Sequence, residues 1–250
     1  MAELHPATYL VTFIIGCAAG CLGAMVGGGG LITVPFLIFM GFTPAEAVAN
    51  TKLGACGSSL SAIRKYKLEK AIRWDLAPKL AAFTVVGSAI GANLMVAADQ
   101  ELVRSLVGFV ILALLPLVVR GNKIGIIETE PSRNRIRAGY LVYFLIQIYG
   151  GFLGAGGGIL GLYAMMYFFG LPIVIASGTG SPPWFAMSFA TSIVYGYAGL
   201  IDWAAATALF LGMSAGGQLG ATLAVRQGNR WLRNVFATVV VLSALKLIVF

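Results

Sequence analysis

Residues 20–30 read Gly20-Cys21-Leu22-Gly23-Ala24-Met25-Val26-Gly27-Gly28-Gly29-Gly30, and residues 150–158 read Gly150-Gly151-Phe152-Leu153-Gly154-Ala155-Gly156-Gly157-Gly158. Each stretch interrupts apolar sequence too long for one membrane crossing, since a helix spans the hydrocarbon core in about 20 residues. A glycine inside a helix costs about 1 kcal/mol relative to alanine, so the run Gly27 to Gly30 disfavours a continuous helix. The reading is of two helices, each broken at its glycine cluster and followed by a short apolar run, 31–41 and 159–169. Those short runs are broken helices or re-entrant hairpins.

The rest of the chain agrees with a lipid solvent. Of its residues 59% are hydrophobic and only 10% charged, with a mean hydropathy of +0.90. Soluble domains carry about 25% charged residues. Apolar runs occur at about 8–26, 44–63, 76–98, 102–119, 138–155, 173–198, 203–224 and 232–249. The first run follows no basic stretch and no small-residue cleavage site, so it reads as a retained span rather than a signal peptide. The fold expected is all-α, a polytopic integral membrane protein. The net charge of +8 lies in short loops between apolar runs and reads as an orientation signal, not as a nucleic-acid surface. Cys17, Cys21 and Cys56 all lie inside apolar runs and read as small core residues, without a metal site or a disulfide.

The two halves repeat. Ile72-Arg73-Trp74 matches Ile201-Asp202-Trp203; Gly87, Gly91, Ala92 and Leu94 match Gly216, Gly220, Ala221 and Leu223; Arg104 matches Arg233. All are 129 positions apart, while the Gly28–Gly30 and Gly156–Gly158 clusters, and Thr51 with Thr179, are 128 apart. Charge then orients the halves. Loop 64–79 carries six basic residues, whereas its equivalent at 196–203 carries only Asp202; the turn at 98–103 carries Asp99 and Glu101, whereas 225–232 carries Arg226 and Arg230. Basic loops face the cytoplasm. Equivalent loops therefore face opposite sides, as in two inverted-topology repeats of about five membrane segments each. The division expected is a first repeat over 1–119, a basic cytoplasmic linker over 120–136 and a second, inverted repeat over 137–250, with both termini outside.

Candidate site residues follow from the breaks. A broken helix presents free backbone N–H groups at the start of its second part, and the helix dipole there favours an anion. Gly28, Gly29, Gly30, Gly156, Gly157 and Gly158 are candidates on this ground; close helix packing is the competing explanation. Asn50, Thr51 and Lys52, with Ser177, Thr179 and Ser181, bring hydroxyl, amide and ammonium groups deep into apolar segments of opposite halves. Pro182-Pro183 is expected to disrupt the helix just beyond. Lys52 is the sharpest single residue: a charge at that depth faces a cavity or a partner. It is read either as a counter-charge for an anionic substrate or as part of an ion pair with Glu46. Asn93, Gln147, Tyr149, Ser188, Thr191 and Gln218 read as interhelical hydrogen-bond partners, and Trp74 and Trp203 as interface belt residues at opposite sides.

With its duplicated glycine motifs, Pro35, Gly41, Pro44, Ala47 to Thr51, Gly170 and the Gly87/Gly91 and Gly216/Gly220 pairs, the sequence resembles the TauE/SafE sulfite-exporter-like permeases over nearly its whole length. The duplicated order of these motifs is what makes the resemblance specific. It implies a bacterial inner-membrane permease for small anions: sulfite, organosulfonates and related sulfur or carboxylate compounds, often exported. Two features depart from the pattern: Ser181-Pro182-Pro183 follows the second Thr, and Lys52 occupies a slot without a fixed family residue. Both leave the choice of substrate open.

The function expected is a secondary transporter of a small anion working by alternating access, with a channel-like anion pore of the same substrate class as the alternative. An enzyme is not expected: His5 is the only histidine, and no nucleophile–base pair or intramembrane carboxylate pair is present. Nor is there a phosphate-binding Gly-x-x-x-x-Gly-Lys motif for ATP. No cofactor or metal is expected. The partners expected are the small anion and membrane lipids, not nucleic acid, with a homodimer left open.

Overall fold

The computed structural model describes residues 6–98 and 124–249, with side chains over 8–98 and 124–239. The apolar run at 102–119, Asp99, Glu101, Arg104, His5 and the first residues of the linker lie outside the described residues. Eight helices make up the described chain: α1 (Pro6–Val26), α2 (Gly30–Phe39), α3 (Pro44–Leu68), α4 (Ala77–Ala97), α5 (Arg133–Phe152), α6 (Gly157–Phe168), α7 (Ile173–Tyr197) and α8 (Trp203–Val249). Three stretches within them, Thr8–Val26, Ala77–Ala97 and Trp203–Val239, are long and apolar enough to cross a bilayer, and α2 and α6 are the two short apolar helices.

Local chemistry sets the boundaries. α1 stops where Gly27 turns left-handed (φ 73°), and α6 starts from a left-handed Gly156 (φ 79°). Both breaks therefore fall in the glycine clusters that the sequence singles out. α2 closes through Gly41 (φ 93°), with the Phe42 N–H donating back to the Leu37 carbonyl at 3.1 Å. α3 opens on a capping box in which the Thr43 hydroxyl accepts from the Glu46 N–H and the Glu46 carboxylate accepts from the Thr43 N–H. α5 begins at Arg133, ahead of the apolar run, because the Ser132 hydroxyl accepts from the Arg135 N–H. The backbone of α8 leaves helical geometry at Gly228 (φ 77°, ψ −176°), which divides it into two arms.

One expectation is corrected here. α7 runs unbroken through Pro182 and Pro183. An interior proline costs about 3 kcal/mol in an exposed helix, but residues 176–181 are all buried, so packing on every side holds the chain helical where propensity alone would break it.

The glycine pairs shared by the two halves share a job. Gly216 and Gly220 on α8 lie against the backbone of Cys17 and Cys21 on α1, where an added Cβ would stand 2.8 Å from the Cys21 N and 2.9 Å from its Cα respectively. Gly87 and Gly91 on α4 lie in the same way against α5, where a Cβ at Gly91 would stand 2.7 Å from the Phe152 N. Each pair lets a fourth helix touch the first helix of the other half at backbone distance. Large apolar side chains point outward from most of the long helices, among them Leu10, Ile14, Phe83, Val86, Ile90, Leu145, Phe189, Ile193, Leu211 and Leu219, as a lipid-facing surface requires. Inside lie two clusters, one around Tyr66, Leu80, Tyr143, Met165, Ile173 and Trp184, the other around Val34, Leu37, Val48, Met95, Leu153, Tyr195 and Leu209.

The described part of the linker is held firmly. The Thr129 N–H donates to the Gly170 carbonyl, the Ile173 N–H to the Gly125 carbonyl, and the Asn229 amide to the Ile126 carbonyl. Arg73 bridges the loop between α3 and α4 to the linker by pairing with Asp75 (2.9 Å) and Glu128 (3.1 Å). Its hydrogen bond holds the Asp75 carboxyl below the ordinary carboxylate range. A depressed folded-state value means that this contribution is present above the unfolded value, about pH 4, and is lost as pH falls through the folded one. All three side chains are largely exposed, so each pair is worth about 1 kcal/mol or less. Glu128→Gln is accordingly expected to lower thermal stability in detergent only slightly, and the difference from wild type should vanish at high salt; a large, salt-insensitive loss would contradict this.

Candidate functional site

The two breaks touch each other. A Cβ on Gly27 would stand 2.7 Å from the Gly158 Cα, and one on Gly158 would stand 2.7 Å from the Gly27 Cα. Beside this crossing lies a cavity of about 70 Å³, lined from the first half by Gly23, Gly27, Gly29, Gly30, Thr51, Lys52, Ser58 and Ser59, and from the second by Gly154, Gly158, Trp184, Met187 and Ser188. Val34, Val48, Leu153 and Met213 supply apolar wall. A water needs about 10–15 Å³ of such space, so the cavity has room for a few waters or one small ion.

Lys52 is the only charged residue among those that line it. It is 3% exposed, and its Nζ donates to the Gly150 carbonyl across the half boundary at 2.5 Å. Gly154 (φ 71°) gives the ammonium room: a Cβ there would stand 2.9 Å from the Lys52 Cε. Among the described residues no ion pair is formed by Lys52, and Glu46, the alternative partner, is occupied with its capping box. Around it, Thr51 donates to the Thr33 hydroxyl (2.9 Å) and Ser58 to the Gly20 carbonyl (3.0 Å). The Trp184 Nε1–H is buried without an acceptor among the described residues. Ser59 and Ser188 are also buried.

Of the residues read as candidates from sequence, the structure brings Gly29, Gly30, Thr51, Lys52 and Gly158 to the cavity. Gly28, Asn50, Gly156, Gly157, Ser177, Thr179 and Ser181 do not line it. A Cβ on Gly28 would meet Val239 and Ile159; one on Gly157 would meet the Gly150 Cα; and Gly156 provides the left-handed turn before α6. The Ser177 hydroxyl lies within hydrogen-bond distance of the Met25 carbonyl (2.6 Å) and the Ile173 carbonyl (2.9 Å), and the Ser181 hydroxyl donates to the Ser177 carbonyl. The Asn50 carboxamide oxygen accepts from the Asp202 N–H at 3.0 Å, and the Thr179 hydroxyl accepts from the Arg73 N–H at 3.0 Å.

Those last two bonds revise the pairing of the halves. Asn50 and Thr179 are 129 positions apart, as are Asp202 and Arg73, so Thr179 matches Asn50 in role rather than Thr51. Tyr66 and Tyr195, again 129 apart and both fully buried, each donate to a carbonyl near the end of the first helix of their own half, Ala24 at 3.0 Å and Gly151 at 2.6 Å.

Ser58, Ser59, Trp184, Met187 and Met213 were not anticipated. A signal existed for the serines: 48, 51, 52, 55, 58 and 59 form one stripe at helical spacing on α3, and all six line the cavity. Trp184, Met187 and Ser188 follow the same spacing on α7. A second, surface cleft of about 470 Å³ is lined by Arg73, Lys79, Asp75, Glu128, Glu130 and Tyr140, among others; its charges are of both signs.

The Sulfite exporter TauE/SafE profile matches residues 12–247. The chain belongs to the TauE/SafE family. Similar proteins include a "Probable membrane transporter protein" of Haemophilus influenzae, 27% identical over 223 residues and covering 89% of this chain and 88% of the relative. The "Probable membrane transporter protein YfcA" of Escherichia coli K12 is 26% identical over 243 residues, 95% of this chain and 88% of that protein. The "Probable membrane transporter protein YunE" of Bacillus subtilis is 28% identical over 266 residues, 96% and 97% of the two chains. No solved structure matches the chain. As a TauE/SafE protein it is a membrane transporter, and its cavity at the crossed breaks is the candidate transport site.

Proposed function

We propose that this chain is a secondary transporter that exports a small anion, such as sulfite, an organosulfonate or a related sulfur or carboxylate compound, by alternating access. The observation that carries the reading is Lys52: one buried ammonium, without a carboxylate among its neighbours in the cavity, where the interrupted helices of both halves cross. A lone buried charge of this kind is costly, and an anion arriving in the cavity supplies the missing counter-charge.

Alternation draws on an inverted repeat. Exchanging the halves converts the Asn50–Asp202 bond into the Thr179–Arg73 bond. The first lies beside the Thr43–Glu46 cap and the second beside the loop of Arg73 and the linker, at opposite ends of the protein. In this reading each bond fastens one side of the transporter, the lipid is a bacterial inner membrane, and the basic loops with the linker face the cytoplasm. Proteoliposomes loaded with unlabelled sulfite or a short sulfonate should take up labelled substrate by saturable counterflow. Flux that neither saturates nor responds to internal substrate would instead make the protein a pore.

A further inference from the structure

We infer that the cavity selects anions carrying one negative charge and an apolar face, and discriminates against divalent anions of the same size. The inference deepens the anion-transport reading and rests on it. Lys52 is the one charged side chain in the lining, so a monovalent guest leaves the buried site neutral, whereas a divalent guest leaves one charge uncompensated. The neutral donors of the lining are the hydroxyls of Thr51, Ser58, Ser59 and Ser188. The Thr51 and Ser58 hydroxyls already donate to Thr33 and Gly20. The Trp184 ring, at 6% exposure, adds aromatic wall. Met187 and Met213 add polarizable apolar surface that can pack against a methyl or methylene but cannot solvate a further anionic oxygen. One ammonium and the Ser59 and Ser188 hydroxyls against a thioether-lined wall suit a small sulfonate or carboxylate with a short hydrocarbon part better than sulfite.

Methanesulfonate and sulfate test this directly. Both are tetrahedral sulfur oxyanions, fully ionised at neutral pH, and differ by a methyl group in place of one charged oxygen. With the full chain in nanodiscs, titration calorimetry should find methanesulfonate bound at least tenfold more tightly than sulfate. Ser188→Ala, which removes one lining hydroxyl, should weaken methanesulfonate at least threefold. Sulfate bound as tightly as methanesulfonate would overturn the valence selection while leaving anion binding intact. An unchanged affinity in Ser188→Ala would overturn the role of its hydroxyl as a neutral donor. Binding of neither probe would overturn the anion reading itself, and this inference with it.

Discussion

Lys52→Ala is expected to lower anion affinity more than 100-fold while leaving a folded, monodisperse protein. The magnitude follows from burial. Removing one partner of a buried, hydrogen-bonded charge pair costs about 3–5 kcal/mol, and with the substrate bound Lys52 is the only cationic partner the cavity offers. The effect on the empty protein is far smaller, because two changes oppose each other. The Gly150 carbonyl loses a donor, which costs about 1–3 kcal/mol, but an uncompensated buried charge is also removed. Lys52→Arg is not a conservative control, because Gly154 already approaches the Lys52 side chain at close range and a planar guanidinium needs more width. Calorimetric titration with any small anion that the wild type binds, alongside size-exclusion chromatography, separates the two effects. An unchanged affinity in a well-folded mutant would remove Lys52 from the site.

Gly27→Ala is expected to destabilise the protein strongly. Two independent costs coincide at this position. The backbone is left-handed, which costs a non-glycine residue about 1–2 kcal/mol. The new Cβ would also fall 2.7 Å from the Gly158 Cα, against backbone that has no flexible side chain to move aside. Forcing the breaks apart should therefore cost several kcal/mol and widen or collapse the cavity beside them. Gly41→Ala provides the control: it shares the left-handed backbone (φ 93°) but has nothing within 4 Å of the added carbon, so only the conformational cost applies. Thermal unfolding of the two variants in the same detergent should show Gly27→Ala much the less stable. Equal melting temperatures would mean that the two breaks are not locked against each other.

The sequence revealed these breaks because glycine acts locally: a run of four removes helix propensity whatever surrounds it, and the helices do stop at Gly27 and restart at Gly30. The Gly87/Gly91 and Gly216/Gly220 pairs were legible for a related reason, since only a residue without a side chain permits backbone contact between helices. Lys52 stood out because a charge in apolar sequence is costly wherever it lies. Pro182 and Pro183 misled because propensity describes an isolated helix, and α7 is enclosed by protein over the preceding turn and a half. The 128-residue offset of the glycine clusters pairs Thr179 with Thr51, while the hydrogen bond it accepts from Arg73 gives it the role of Asn50, 129 positions away. Trp184 gave no local sign at all: an aromatic residue in an apolar helix is common, and its place at the cavity depends on how α7 packs against α3.

Anion transport through this cavity requires that an anion rest beside Lys52. Crystals of the full chain soaked with a small bromine-bearing monoanion, such as bromomethanesulfonate, would locate it by anomalous scattering. The prediction is one strong peak in the cavity between the glycine breaks, in contact distance of Lys52 and Trp184. A peak confined to the surface cleft beside Arg73 and Lys79, with none near Lys52, would contradict the account.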